Sequence, residues 1–137
     1  MIVLVDTPVW SLALRRKNAD LSTRDRKFVT ALQELIRDGR AQIVGPIRQE
    51  LLSGIREPER YRKIREQLRD FPEPAVEMAD YEEAAHISNQ CRARGIAGSS
   101  VDFLICAIAH RKRWQIFTID RDFENYSDCV PVRLYSV

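Results

Sequence analysis

The apolar stretch MIVLV, residues 1 to 5, limits what this chain can fold into more than any other feature. Consecutive nonpolar residues, without the alternation of a half-exposed strand, suit a strand covered on both faces. Two runs repeat the pattern, AQIVG at 41 to 45 and QIFTI at 115 to 119. VPVRLY, after the loop-like DRDFENYSD, is expected to be a last strand. Asp6 closes the first of these strands and Asp120 the third.

Helical patterns fill the intervals. DTPVWSLALRR reads as a short helix with Pro8 near its start. LSTRDRKFVTALQELIRDG reads as a longer one, with Ser22 as cap, Asp25 at the capping-box position and Gly39 as the stop. Pro46 opens PIRQELLSGI, where a proline in the first turn loses no needed hydrogen bond. PERYRKIREQLRDF is a charged helix, and Pro72 and Pro74 separate it from DYEEAAHISNQCRARG. The latter has acids in its first turn and arginines in its last, as the helix dipole favours. SSVDFLICAIAHRK is apolar almost all round in its middle, hence buried. Strands alternating with helices predict an α/β fold, a three-layer α/β/α sandwich around a mostly parallel sheet.

At 137 residues and 45% hydrophobic composition, the chain is long enough for a core of its own. A single domain over residues 1–137 is expected. No apolar run reaches the roughly 18 residues of a membrane span, and MIVLV lacks the basic lead of a secretion signal. The expected location is the cytoplasm. Cys91, Cys106 and Cys129 are odd in number and lack metal-ligand spacing, so they are read as reduced, mostly buried thiols.

Functional groups collect beyond the carboxyl ends of strands in an open parallel sheet. Asp6 closes the first strand and Asp120 the third. Glu50, on the helix that follows the second strand, lies beside the apolar stripe of Ile47, Leu51 and Ile55. Asp102 stands in the first turn of the buried helix, after Ser99 and Ser100. Four carboxylates from four segments thus converge on one end of the sheet. Like charges in a shared site raise one another's pKa, so a cation belongs among them. Oxygen-only ligation suits Mg²⁺ or Mn²⁺, and the chemistry such an ion serves is phosphodiester hydrolysis. The formal charge of +2 fits this picture: gathering four of the 20 acids at one site leaves a basic remainder that attracts a polyanion.

Each acid also has an ordinary reading. Asp102 fits a capping box with Ser99, Asp6 and Asp120 fit turns, and Glu50 fits a solvated helix face. Only the joint pattern carries the inference. Asp122 points the same way as Asp120 and Thr118 if the chain stays extended past the strand. His86 and His110 lack a partnered nucleophile and are assigned to packing or surface. Asp80, Glu82 and Glu83 are read as helix-start acids. Trp10, Phe28, Phe103 and Phe117 are read as core, and the basic runs Arg15 to Lys17 and Arg111 to Arg113 as solvated helix ends.

In chain order, VDTPVWS, GPIRQELLSGI, GSSVDFLICAIA and FTIDRDF resemble the successive motifs of PIN-domain ribonucleases, especially the VapC-type toxins of toxin–antitoxin pairs. The resemblance spans the whole chain. It implies Mg²⁺- or Mn²⁺-dependent RNA cleavage, frequent homodimers and neutralisation by a small antitoxin. It puts the family's acidic set on Asp6, Glu50, Asp102 and Asp120, with Asp122 at a less uniform position. Thr7 keeps the hydroxyl that often follows the first acid, and Thr118 is a further supporting residue. Pro8 replaces a more usual small polar residue and removes no ligand. Competing readings fit less well. An RNase H-like nuclease wants a hairpin after its first acid. A haloacid dehalogenase-type phosphatase wants an acid at the position of Pro8, and a receiver domain wants paired acids after strand one. A silent RNA- or protein-binding module, or a housekeeping RNA-processing nuclease, remains an alternative.

Overall fold

The apolar runs become the strands β1 (Val3–Val5), β2 (Ala41–Gln42), β3 (Gln115–Phe117) and β4 (Arg133–Leu134) of one sheet. This computed structural model describes residues 1–137, with Asn18 described by its backbone alone. The strand order is β2-β1-β3-β4, and every pairing is parallel. Val3 lies opposite Ala41 on one side and Gln115 on the other, so β1 occupies the middle and shows no exposed face. The ladders are shorter than the apolar runs. Beyond Gln42 the chain stays buried through Ile43 and Val44, the latter still extended at φ −127°, ψ 161°, before it turns into a helix.

The helices are α1 (Thr7–Leu14), α2 (Thr23–Arg37), α3 (Gly45–Ser53), α4 (Pro58–Leu68), α5 (Met78–Ala93), α6 (Ser100–Lys112) and α7 (Asp122–Tyr126). They flank the sheet, with α1 packed on α2 and α3, and α5 packed on α6. Helix α6 is buried from Phe103 through Ala109 without interruption, which explains its apolar middle. Burying side chains of this size stabilises by about 1.5 to 3 kcal/mol each before entropy is charged. Trp10 is fully buried and donates its indole N–H to the Val5 carbonyl at 2.9 Å, so the ring joins the core without an orphaned donor. Phe103 and Phe117 are buried, and Phe28 packs partly buried against Phe117. All three cysteines are free thiols, with Cys129 the least buried.

The stretch DRDFENYSD, expected as a loop, contains the short helix α7. Its polar composition reads as a loop, but Phe123 and Tyr126 sit on one face and are both fully buried. Tertiary packing supplies what a five-residue segment lacks in intrinsic helicity. Connections leave β1 toward β2 and leave β3 toward β4 on the opposite side, which makes the β1/β3 boundary the point where strand order reverses. At that boundary a crevice opens beyond the strand ends.

Candidate active site

Asp6 is at the carboxyl end of β1 and serves as the N-cap of α1, its Oδ1 accepting from the Thr7 amide at 2.9 Å. Its own amide donates to the Phe117 carbonyl at 2.9 Å, which stitches the ends of β1 and β3 together. The other carboxylate oxygen, Oδ2, accepts from the Thr118 hydroxyl at 2.8 Å. Thr118 Oγ1 in turn accepts from the Asp120 amide at 3.0 Å. One threonine therefore sets the spacing between the two strand-end acids.

Glu50 comes in from α3. The Thr7 hydroxyl donates to its Oε1 at 3.5 Å, so Thr7 touches both Asp6, through its amide, and Glu50, through its side chain. Asp102 arrives on α6, and both of its readings hold. Its amide donates to the Ser99 hydroxyl at 3.1 Å, as a helix cap requires, while its Oδ2 accepts from the Tyr126 hydroxyl at 2.8 Å. The crowding is tight around that contact. A Cβ on Gly98 would lie 2.6 Å from Phe103 and 2.7 Å from the Tyr126 hydroxyl, so only glycine lets the ring reach the carboxylate.

The structure brings all four acids into one electrostatic neighbourhood. Burial pushes the Asp6 carboxyl up to about 6; bonds from Thr118 and Thr7 pull it down in part, and the charges of Asp102 and Glu50 add to the rise. Burial also raises Asp102, against its bonds from Tyr126 and Ser99, with Asp120 and Asp122 pushing the same way. Glu50, the most exposed of the four, is raised by what burial it has and by Asp102. The Tyr126 hydroxyl is pushed up by burial and by its bond to Asp102, which keeps it a donor.

Asp122 is corrected in geometry. The chain does not stay extended beyond Asp120 but turns into α7, and the Asp122 amide donates to Asp120 Oδ1 at 2.9 Å. Its carboxylate lies exposed on the rim. His86 and His110 are exposed helix residues, as expected. Sequence reasoning missed Tyr126. The clue was the spacing of Phe123 and Tyr126, which makes one apolar face only if DRDFENYSD is helical.

Asp6 is 4% exposed, yet among the described residues no Lys or Arg pairs with it or with the other three acids. A buried carboxylate without a cation is unfavourable when ionised. The donor set is oxygen throughout, which suits a hard divalent ion. Among the described residues no three His, Cys, Asp or Glu side chains lie close enough to cage an ion outright. Mg²⁺ does not demand such a cage, because it retains several waters and takes one or two carboxylates directly. The chemistry of the donor set therefore fits a hard divalent ion.

Beside the acids lies a cleft of about 1120 Å³, with Thr7, Glu50 and Ser53 on one side and Tyr81, Val101 and Leu104 among its other walls. Its walls are largely apolar away from the acids.

A parallel sheet whose strand-end and helix-start acids share one crevice defines a carboxylate-site α/β protein. Residues 3–128 match the PIN domain, and the chain belongs to that family. PIN domains are generally nucleases. Among solved structures, the fold resembles VapBC2 from Rickettsia felis bound to a DNA fragment from its promoter, with a TM-score of 0.75 and 15% identity over 99% of this chain and 100% of that one. It also resembles FitAcB from Neisseria gonorrhoeae, with a TM-score of 0.74 and 18% identity over 98% and 97% of the two chains. A toxin–antitoxin complex from Klebsiella pneumoniae is a further neighbour, with a TM-score of 0.66 and 17% identity over 88% and 89%. No curated protein matches the chain.

Proposed function

We propose that the chain is a Mg²⁺- or Mn²⁺-dependent endoribonuclease and the toxin of a toxin–antitoxin pair. The observation that carries the nuclease reading is a nearly inaccessible Asp6 that shares its crevice with Glu50, Asp102 and Asp120 and has no cationic side chain to offset them. Asp6, Glu50, Asp102 and Asp120 would hold the ion, with Thr7, Thr118 and Asp122 in support. When bound, it would supply activation of a phosphodiester toward hydrolysis and a countercharge for the phosphate.

The chain's own groups do the rest. Thr118 and the Thr7 amide fix both oxygens of Asp6, so its orientation is set before substrate arrives. Tyr126 fixes one oxygen of Asp102 and leaves the other to the crevice. Glu50, the most exposed of the set, is oriented by the Thr7 hydroxyl at its Oε1.

The toxin reading rests on family membership together with the likeness to a toxin–antitoxin complex. A partner segment lying in the cleft of about 1120 Å³ would meet largely apolar walls and the Glu50 carboxylate. An arginine there would pair with the acids in place of an ion. Tyr61, Met78 and Tyr81 are large exposed hydrophobic side chains between Pro58 and Gly95, and they suit a homodimer face. Light scattering at micromolar concentration should then give a mass above the 15.9 kDa of one chain. The reading places the protein in the cytoplasm, where RNA is and where free thiols persist.

The test is expression in cells. The wild-type chain alone should arrest growth, Asp6→Asn should relieve the arrest, and a co-encoded small antitoxin should restore growth. A chain harmless at high expression that still cleaves RNA in vitro would move the assignment to a housekeeping RNA-processing enzyme.

A further inference from the structure

The end of α3 holds a second charged feature, opposite in sign to the first. Gly54, the residue that closes α3, lies four positions beyond Glu50, about 6 Å along the helix axis. There Arg15, Arg56 and Arg60 line a small cleft of about 210 Å³. Arg15 reaches it from the end of α1, and its Nη2 donates to the Gly54 carbonyl at 3.1 Å. Arg60, in the first turns of α4, donates to the Arg15 carbonyl. The guanidinium of Arg15 lies so close to the backbone that a Cβ on Gly54 would stand 2.9 Å from it.

Capping two helix ends explains part of this arrangement, because guanidinium groups favour the last carbonyls of a helix. It leaves two things unexplained. Arg56 is drawn into the same cleft without a carbonyl partner among the described residues, and no carboxylate neutralises any of the three, although Glu57 is at hand. Elsewhere Arg48, Arg62 and Arg111 are each paired with an acid. Each guanidinium carries five N–H donors, so one bond to a carbonyl leaves most of them free to bind.

We propose that the cleft between Arg15, Arg56 and Arg60 is a phosphate subsite that holds the RNA backbone away from the cleaved bond, at the far ends of α1 and α3. The inference rests on the nuclease reading and adds where the strand runs: across the acids and along α3 toward Gly54. A planar, always charged fork suits a phosphate oxygen pair better than a lysine would. Contacts of this kind position the strand and carry no sequence information.

The experiment is fluorescence anisotropy of a labelled mixed-sequence single-stranded RNA oligonucleotide with the full chain in EDTA, across a series of salt concentrations. Arg56→Gln and Arg60→Gln should each weaken binding about two- to fivefold, the scale of an exposed charge contact. Each should also lower the slope of log affinity against log salt by about 0.7. Gly54→Ala should weaken binding while keeping every charge, and Arg56→Lys should keep the slope. Arg133→Gln removes the same charge from the cleft at the amino ends of the strands, lined by Arg113 and Arg133, and should leave the slope within error. Unchanged affinity and slope in folded Arg56→Gln and Arg60→Gln, with wild-type chain cleaving RNA, overturns the subsite and spares the nuclease. A slope lowered equally by Arg133→Gln reduces the effect to net charge and also overturns it. Wild-type chain that neither binds nor cleaves RNA overturns both readings.

Discussion

Asp6 and Asp80 are both buried acids, at 4% and 0% exposure, and they are handled in opposite ways. Asp80 sits in the first turn of α5 and accepts from the Glu77 amide at 2.8 Å through one oxygen and from Arg111 at 2.5 Å through the other. Its charge is answered by a guanidinium from the end of α6 and by a helix N-terminus. Asp6 also caps a helix N-terminus, but no guanidinium reaches it: a hydroxyl and one amide hold its oxygens, and it faces the charges of Asp102 and Glu50. Burial of an acid therefore does not mark a site in this molecule. Burial without a countercharge does, because it reserves a place for a cation that the chain does not supply.

The largest separation between the two acids should appear in activity. Asp6→Asn keeps the volume and removes the charge, and RNA cleavage should fall by at least about 100-fold, the scale of a positioned electrostatic group. Asp80→Asn, assayed per folded molecule, should cleave at close to the wild-type rate. If both lose activity equally, the division into site and scaffold is wrong.

Stability should separate them in the reverse direction. Asp80→Asn weakens a paired network and should cost about 1 to 3 kcal/mol in urea unfolding. Asp6→Asn in EDTA at pH 7 should cost less than Asp80→Asn, since relief of a buried, unpaired charge offsets the hydrogen bond lost where the new amide faces a donor. The pH dependence follows from the same burial. Asp6 binds its proton more tightly folded, near 6, than at its ordinary value of 3.8. The folded state therefore gains stability that is complete below about pH 4 and is lost as pH rises through about 6. In EDTA, this fall between pH 4 and 7 should be smaller in Asp6→Asn than in wild type, because only the raised Glu50 and Asp102 then carry it. Melting curves whose difference does not change over that range would contradict it.

Smaller effects should come from the residues that aim the acids. Tyr126→Phe removes the donor to Asp102 Oδ2 with little change in packing, and cleavage should fall by roughly tenfold, the worth of one charge-assisted hydrogen bond. An unchanged rate would make the contact a packing feature. Asp122→Asn should be the mildest, at about a few-fold, because its carboxylate stands on the exposed rim and its structural bond to Asp120 runs through the backbone amide.

The comparison also shows what the sequence could and could not carry. The positions of Asp6 and Asp120 follow from where apolar runs end, that of Asp102 from where a helix begins, and that of Glu50 from the apolar stripe beside it on α3. Strand and helix periodicity therefore reached the four acids and the parallel sheet. Asp80 looked like any other acid at a helix start, because its partner Arg111 lies 31 residues away on another helix. The same holds for Tyr126 and Asp102, which are 24 residues apart and meet only because α7 folds back over α6. Helix α7 escaped because Asp, Asn and Ser compete for the backbone and read as a loop, while its stability comes from burying Phe123 and Tyr126. Local pattern placed the charges. Which charges are answered depends on contacts that no local pattern encodes.

The measurement that goes most directly to the central claim is cleavage of a labelled single-stranded RNA by the purified wild-type chain, with Asp6→Asn purified in parallel, in Mg²⁺ or Mn²⁺ and again in EDTA. The account expects cleavage by wild type with either ion, its loss in EDTA, its return when the ion is restored, and a residual rate at least about 100-fold lower in Asp6→Asn. Wild-type cleavage undiminished in EDTA, or Asp6→Asn cleaving at the wild-type rate, would contradict it.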